Sequence, residues 1–128
     1  MRTLLDTHAF LWWISDSRRL SASARRVIED ETNTILVSAA SAWEITTKHR
    51  IGKLAHVEAV ALDVTGTIAG QGFEELAITV DDAARAGRLP GLHRDPFDRV
   101  LIAQALARDM AIVSVDQALD GYGVRRLW

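Results

Sequence analysis

Residues 3–14 read Thr3-Leu4-Leu5-Asp6-Thr7-His8-Ala9-Phe10-Leu11-Trp12-Trp13-Ile14, and this stretch decides the fold. A short apolar run, Thr3 to Leu5, breaks off at Asp6 and suits a buried strand. Ala9 to Ile14 then continues as a helix rich in large apolar groups. Further helices and strands follow downstream. Ser21 or Ser23 starts a helix with Ala24, Val27 and Ile28 on one side and Arg25, Arg26, Glu29 and Asp30 on the other. Ile35 to Val37 has the length of a buried strand, and Ser38 caps a helix running through Trp43, Glu44 and Lys48 to a stop at Gly52. A helix over Val57 to Ala69, a strand over Glu74 to Ile78 and a helix over Thr79 to Ala86 follow. Arg88 to Pro96 is the one clear loop. Asp95-Pro96 opens a helix with proline at its favoured first position, and Val100 to Ala107 is apolar nearly all round. Ala111 to Val115 reads as a strand ending at Asp116, and Gly123 to Leu127 as an edge strand. Strands alternating with helices predict the α/β class, with a mostly parallel sheet covered on both faces.

Composition narrows the function. The 128 residues suit a single domain over 1–128, with 48% apolar and 25% charged residues and no cysteine. Thiol catalysis, zinc–thiolate sites and disulfides are thereby excluded. No apolar run approaches the roughly 20 residues that span a bilayer, so a cytoplasmic location without membrane attachment is expected. The net charge of −2 runs against the basic footprint of nucleic-acid binders. Acids gathered as metal ligands would leave the rest of the surface with more cations than anions.

Five acids are candidates for a site of the kind an α/β sheet builds beyond the carboxyl ends of its parallel strands. Asp6 and Asp116 each follow an apolar strand. Asp95 and Asp98 lie in the first turn of a helix, and Glu44 interrupts Ser41-Ala42-Trp43-Glu44-Ile45. Each also has a plain structural reading. Asp6, Asp95 and Asp116 are good helix caps, Asp98 gains from the helix dipole, and Glu44 could be a partly exposed helix residue. Together they favour chemistry, because converging carboxylates repel unless protonated or neutralised. No lysine or arginine is adjacent in sequence to Asp6, Glu44 or Asp116, although Arg99 follows Asp98. A hard divalent ion, Mg²⁺ or Mn²⁺, is the natural partner of such oxygen ligands, and it suits phosphodiester hydrolysis by metal-activated water.

Four segments carry a family resemblance. They are Leu4-Leu5-Asp6-Thr7-His8; Trp43-Glu44-Ile45 with Ile51-Gly52-Lys53-Leu54; Asp95-Pro96-Phe97-Asp98-Arg99 with Ile102-Ala103-Gln104-Ala105; and Ser114-Val115-Asp116. In this order they resemble the PIN-domain ribonucleases, and more closely the VapC-type toxins of bacterial type II toxin–antitoxin modules. The resemblance implies a three-layer α/β/α sandwich with four or five strands. It makes Asp6, Glu44 and Asp98 the metal-binding core, with Asp116 as a fourth acid that binds a second metal or acts through water. Ser114 and Asp95 become auxiliary. It further implies an RNA substrate such as transfer RNA, a homodimer and a small antitoxin that blocks the groove.

Basic residues near these segments are candidates for RNA or antitoxin contact: Lys48, Arg50, Lys53, Arg88, His93, Arg94 and Arg99. For the first three, an ordinary helix C-terminus is the competing reading. Trp12, Trp13 and Trp43 could stack on bases, but apolar helical settings point to core or dimer contacts. The four histidines lack metal-ligand spacing, and no glycine loop for a nucleotide follows a strand. A phosphorylated receiver domain would need a lysine after a late strand, and the only lysines are Lys48 and Lys53. The surviving alternative is a catalytically silent PIN-like module that binds RNA or protein.

Overall fold

The computed structural model describes residues 1–91 and 95–128. Strands β1 (Arg2–Leu5), β2 (Thr34–Ser38), β3 (Glu74–Leu76), β4 (Ala111–Val113) and β5 (Arg126–Leu127) form one sheet in the order β3-β2-β1-β4-β5. Every neighbouring pair is parallel, so the chain must cross back between strands, mostly through helices. These are α1 (Thr7–Ile14), α2 (Ala22–Glu29), α3 (Ala39–Arg50), α4 (Glu58–Leu62), α5 (Val64–Gly70), α6 (Val80–Arg88) and α7 (Pro96–Arg108); a 3₁₀ turn over Gln117–Tyr122 precedes β5.

Alternation along the strands divides the apolar interior in two. Leu5, Ile35, Val37 and Val113 belong to one cluster, covered through Phe10, Leu11, Ala24, Ile28, Val60 and Ile68. Leu4, Leu36 and Ile112 belong to the other, where α7 supplies Leu101, Ile102 and Ala105 and α6 lies along α7. The three-layer sandwich is present, at the upper of the expected strand counts. Helix α3 belongs to both layers, since its Ile45 joins the first cluster and its Ala40 the second. From β1 the chain steps outward to β2 and β3, then returns to add β4 on the other side. The strand order therefore reverses between β1 and β4, the place where α/β sheets open a crevice.

Several boundaries differ from expectation. The helix expected over Val57–Ala69 is two, because Asp63 (φ −153°) leaves the helical conformation and caps α5. Its Oδ1 accepts the Gly66 N–H at 3.0 Å. A Cβ at residue 66 would come within 2.1 Å of Asp63 Oδ2, so Gly66→Ala must displace the cap. Glycine to alanine in a helix normally gains up to about 1 kcal/mol, and losing the cap costs about as much. Urea midpoints should show no gain for Gly66→Ala alone, but a gain for the same change on an Asp63→Ala background.

Strand β4 stops at Val113 rather than Val115, because Leu5 and Leu127, its last partners, both pair with Val113. Strand β5 is correspondingly short, and β3 stops at Leu76. In α7 only Leu101 to Ala105 are buried, and Leu106 is 41% exposed. On the outer strand β3, Glu74 and Glu75 are exposed, and Glu74 pairs with Arg2 at 3.6 Å.

A buried polar network ties the second layer together. Asp82 of α6, 2% exposed, accepts from Arg108 at 2.9 and 3.0 Å, from Gln104 Nε2 at 3.2 Å and from the Thr79 N–H at 3.0 Å. Gln104 Nε2 also donates to Ala77 O, and its Oε1 accepts the Ser38 hydroxyl at 2.6 Å. Burial alone would raise the Asp82 carboxyl. The Arg108, Thr79 and Gln104 bonds outweigh it and hold the group well below the usual carboxylate range.

Candidate active site

Asp6 is the first residue beyond β1. Its N–H donates to Val113 O at 3.0 Å, stitching the ends of β1 and β4, and its Oδ1 caps α1 by accepting the Ala9 N–H at 2.8 Å. The capping role expected from the sequence is therefore real, and it also fixes the carboxylate at the crevice. Burial pushes the Asp6 carboxyl up, and the charge of Glu44 adds to this. A hydrogen bond from Ser114, the Ala9 amide and His8 act the other way.

Glu44 is 2% exposed, so the partly exposed helix position is ruled out. Its Oε2 accepts from Lys48 Nζ, one helical turn on. Its Oε1 is buried without a hydrogen-bond partner among the described residues. A lone buried carboxylate oxygen is costly. Burial works against the Lys48 charge, but the bond and charge of Glu44, with the charges of Asp95 and Asp98, hold its pKa up. Lys48 thus feels three carboxylates at once. The fold gives Lys48, in the last turn of α3, an ion pair with Glu44.

Asp95 caps α7 through Oδ1, which accepts from the N–H groups of Phe97 at 2.9 Å and Asp98 at 3.2 Å. Asp98 is half-buried in that first turn. Asp116 does not directly follow its strand. It caps the 3₁₀ turn by accepting from Ala118 N–H at 3.0 Å, and its own N–H donates to Ser114 Oγ at 3.0 Å. Ser114, fully buried, therefore links Asp116 to Asp6. Asp116 also raises the pKa of Arg126, though less than Asp120 does, so cations absent from its sequence neighbourhood reach it in the fold.

Two contributors were missed. Thr7 Oγ1 donates to Ser41 Oγ at 3.0 Å, both buried, and this joins the start of α1 to α3 one turn before Glu44. The signal was available, since Ser41 and Glu44 are three residues apart and share a helix face. The Arg99 guanidinium donates to Ala86 O at 3.0 Å and to Leu89 O, bracing α7 against the end of α6. Trp43 is 57% exposed rather than in the core, whereas Trp12 and Trp13 do pack on the first cluster. Arg50, Lys53 and Arg88 are exposed. His93 and Arg94 lie outside the described residues.

Among the described residues, no group of three His, Asp or Glu side chains is arranged to hold a metal ion. The donor set nevertheless suits one. It offers oxygen only, and one buried Glu44 oxygen has no donor among the described residues; the side chains that could contribute to holding a divalent cation are Asp6, Glu44 and Asp98.

The sequence pattern of the PIN domain family matches residues 3–124. The chain belongs to the PIN domain family. This PIN domain is 31% identical over 124 residues to ribonuclease VapC22 of Mycobacterium tuberculosis, a match covering 93% of the chain and 90% of that relative. Two solved structures resemble this PIN domain in fold. The VapBC2 structure from Rickettsia felis, bound to a promoter DNA fragment, gives a TM-score of 0.69 at 15% identity over 98% of this chain and 97% of the other. VapC20 of Mycobacterium tuberculosis, a sarcin-ricin loop cleaving toxin, gives 0.62 at 19% identity over 95% of each chain.

Proposed function

We propose that this PIN domain is an endoribonuclease that depends on Mg²⁺ or Mn²⁺ and acts as the toxin of a toxin–antitoxin pair. The buried Glu44 carboxylate beside Asp6, where the strand order reverses, is the observation that carries this reading. A side chain buried there without function would cost stability for nothing. Asp6, Glu44 and Asp98 would hold the cation. A bound divalent ion polarises a phosphodiester, lowers the pKa of a water and neutralises the leaving oxygen. Asp116, tied to Asp6 through Ser114, is the carboxylate that would take the proton of the attacking water. Lys48, which pairs with Glu44, would serve as a donor for an RNA phosphate were a cation to take its place there. The antitoxin, a homodimeric state, a structured RNA substrate and a cytoplasmic location belong to the same proposal and draw on the VapC relatives.

The ion pair that occupies Glu44 favours a second reading, a silent RNA- or protein-binding module. One assay separates the two. Incubation with total RNA should give fragments with discrete ends in Mg²⁺ or Mn²⁺ and none after chelation. RNA left intact in millimolar metal, or cut equally well in chelator, would refute the metal-dependent nuclease.

A further inference from the structure

Eight aromatic side chains occur in the chain, and six of them serve the apolar interior. Phe10, Trp12, Trp13, Phe73 and Trp128 join the first cluster, and Tyr122 packs on the second. Trp43 and Phe97 belong to neither. They meet each other instead, edge to face, with ring centroids 4.9 Å apart and planes at 80°. Each stands immediately before an acid of the site, Trp43 before Glu44 on α3 and Phe97 before Asp98 on α7. Trp43 keeps 57% of its surface exposed, while Phe97 is half-buried beneath it.

We infer that Trp43, braced by Phe97, is a stacking site for a nucleobase of the RNA strand whose phosphate lies at the acids; the inference rests on the ribonuclease reading. An indole offers a wide, flat apolar face, and bases of any identity stack on such a surface. The brace fixes the indole between the two helices that carry Glu44 and Asp98, so a stacked base sets the register of its neighbouring phosphate against those carboxylates. A base still paired and stacked in a duplex cannot use the platform. The site therefore selects an unpaired or extruded nucleotide beside the scissile bond, without reading which base it is.

The test uses end-labelled single-stranded oligoadenylate and oligouridylate, with binding followed by fluorescence anisotropy on Asp98→Asn protein, which does not turn the RNA over. A third probe is a ribose-phosphate oligomer of equal length without bases. Adding Trp43→Ala should weaken binding of both RNAs about 10- to 100-fold, the loss typical of a stacked base. Trp43→Phe should keep most of the affinity, and the base-free oligomer should bind equally well with and without Trp43→Ala. Equal RNA affinity with and without Trp43→Ala overturns the stacking site while leaving the nuclease reading intact. An equal loss on the base-free oligomer overturns it too, because the effect is then not on a base. If Trp43→Ala instead dissociates a dimer with RNA affinity unchanged, the indole is a protein contact and the inference falls. Failure of the Trp43-containing protein to bind any RNA would remove both readings.

Discussion

If the proposed function holds, Asp98→Asn should lower the rate of metal-dependent RNA cleavage by about 1,000-fold, the equivalent of the several kcal/mol that a cation contributes to a charged transition state. The fold should barely notice. Asn is nearly isosteric, and Asp98 gives α7 only a favourable charge at its N-terminus, worth about 0.3–1 kcal/mol. Against that loss, one negative charge leaves a site that already holds Asp6, Glu44 and Asp95. The melting temperature should shift by no more than a few degrees, as such a small net change implies. Asp95→Asn is the informative companion, because Asn caps a helix as well as Asp does. If Asp95 serves only as the cap seen in its bonds to Phe97 and Asp98, that variant keeps its activity. Cleavage by Asp98→Asn at the parental rate would show that the acid at the start of α7 has been given the wrong task.

The second large effect is on stability. Asp82→Ala removes the shared acceptor of Arg108, Gln104 and the Thr79 amide, leaving a partly buried guanidinium without its counter-ion. Breaking such a pair costs about 3–5 kcal/mol near neutral pH. Its pH dependence has a definite sign. The folded carboxyl titrates below the unfolded one, so its contribution is complete above the ordinary aspartate value near 3.9. It is lost as pH falls toward the lower, folded value. At pH 3 the gap between parent and variant should have narrowed by roughly 1 kcal/mol. Urea midpoints at pH 7 and pH 3 measure this directly. A gap that stayed constant would mean that the interaction with Arg108 does not depend on the Asp82 charge.

The sheet and the acids were legible in the sequence for a physical reason. A parallel strand buried on both faces is an uninterrupted apolar run, so a carboxylate at its end stands out, as Asp6 does after Leu5. Asp95-Pro96 declares a helix start just as openly. What escaped depends on distance along the chain or on which way a helix faces. Ser38, Asp82, Gln104 and Arg108 come together only once β2, α6 and α7 are placed, and nothing local marks them as partners. Trp43 looked like a core or dimer contact because its neighbours are apolar, and its exposure leaves only the core reading wrong: α3 touches both layers, yet its exposed stripe carries Trp43. The break at Asp63 and the Lys48–Glu44 pair were within reach, through an Asp-x-x-Gly cap and an i,i+4 spacing respectively.

The outer strand β3 carries exposed Glu74 and Glu75. Two copies extending the sheet through that edge would set carboxylates against carboxylates, a juxtaposition that charged edge strands use to resist uncontrolled self-association. The opposite edge, β5, is two residues long and offers little ladder to extend. Neither edge of the sheet thus favours assembly by strand addition, and replacing Glu74 and Glu75 with uncharged β-formers is the change that would invite runaway sheet growth at high concentration.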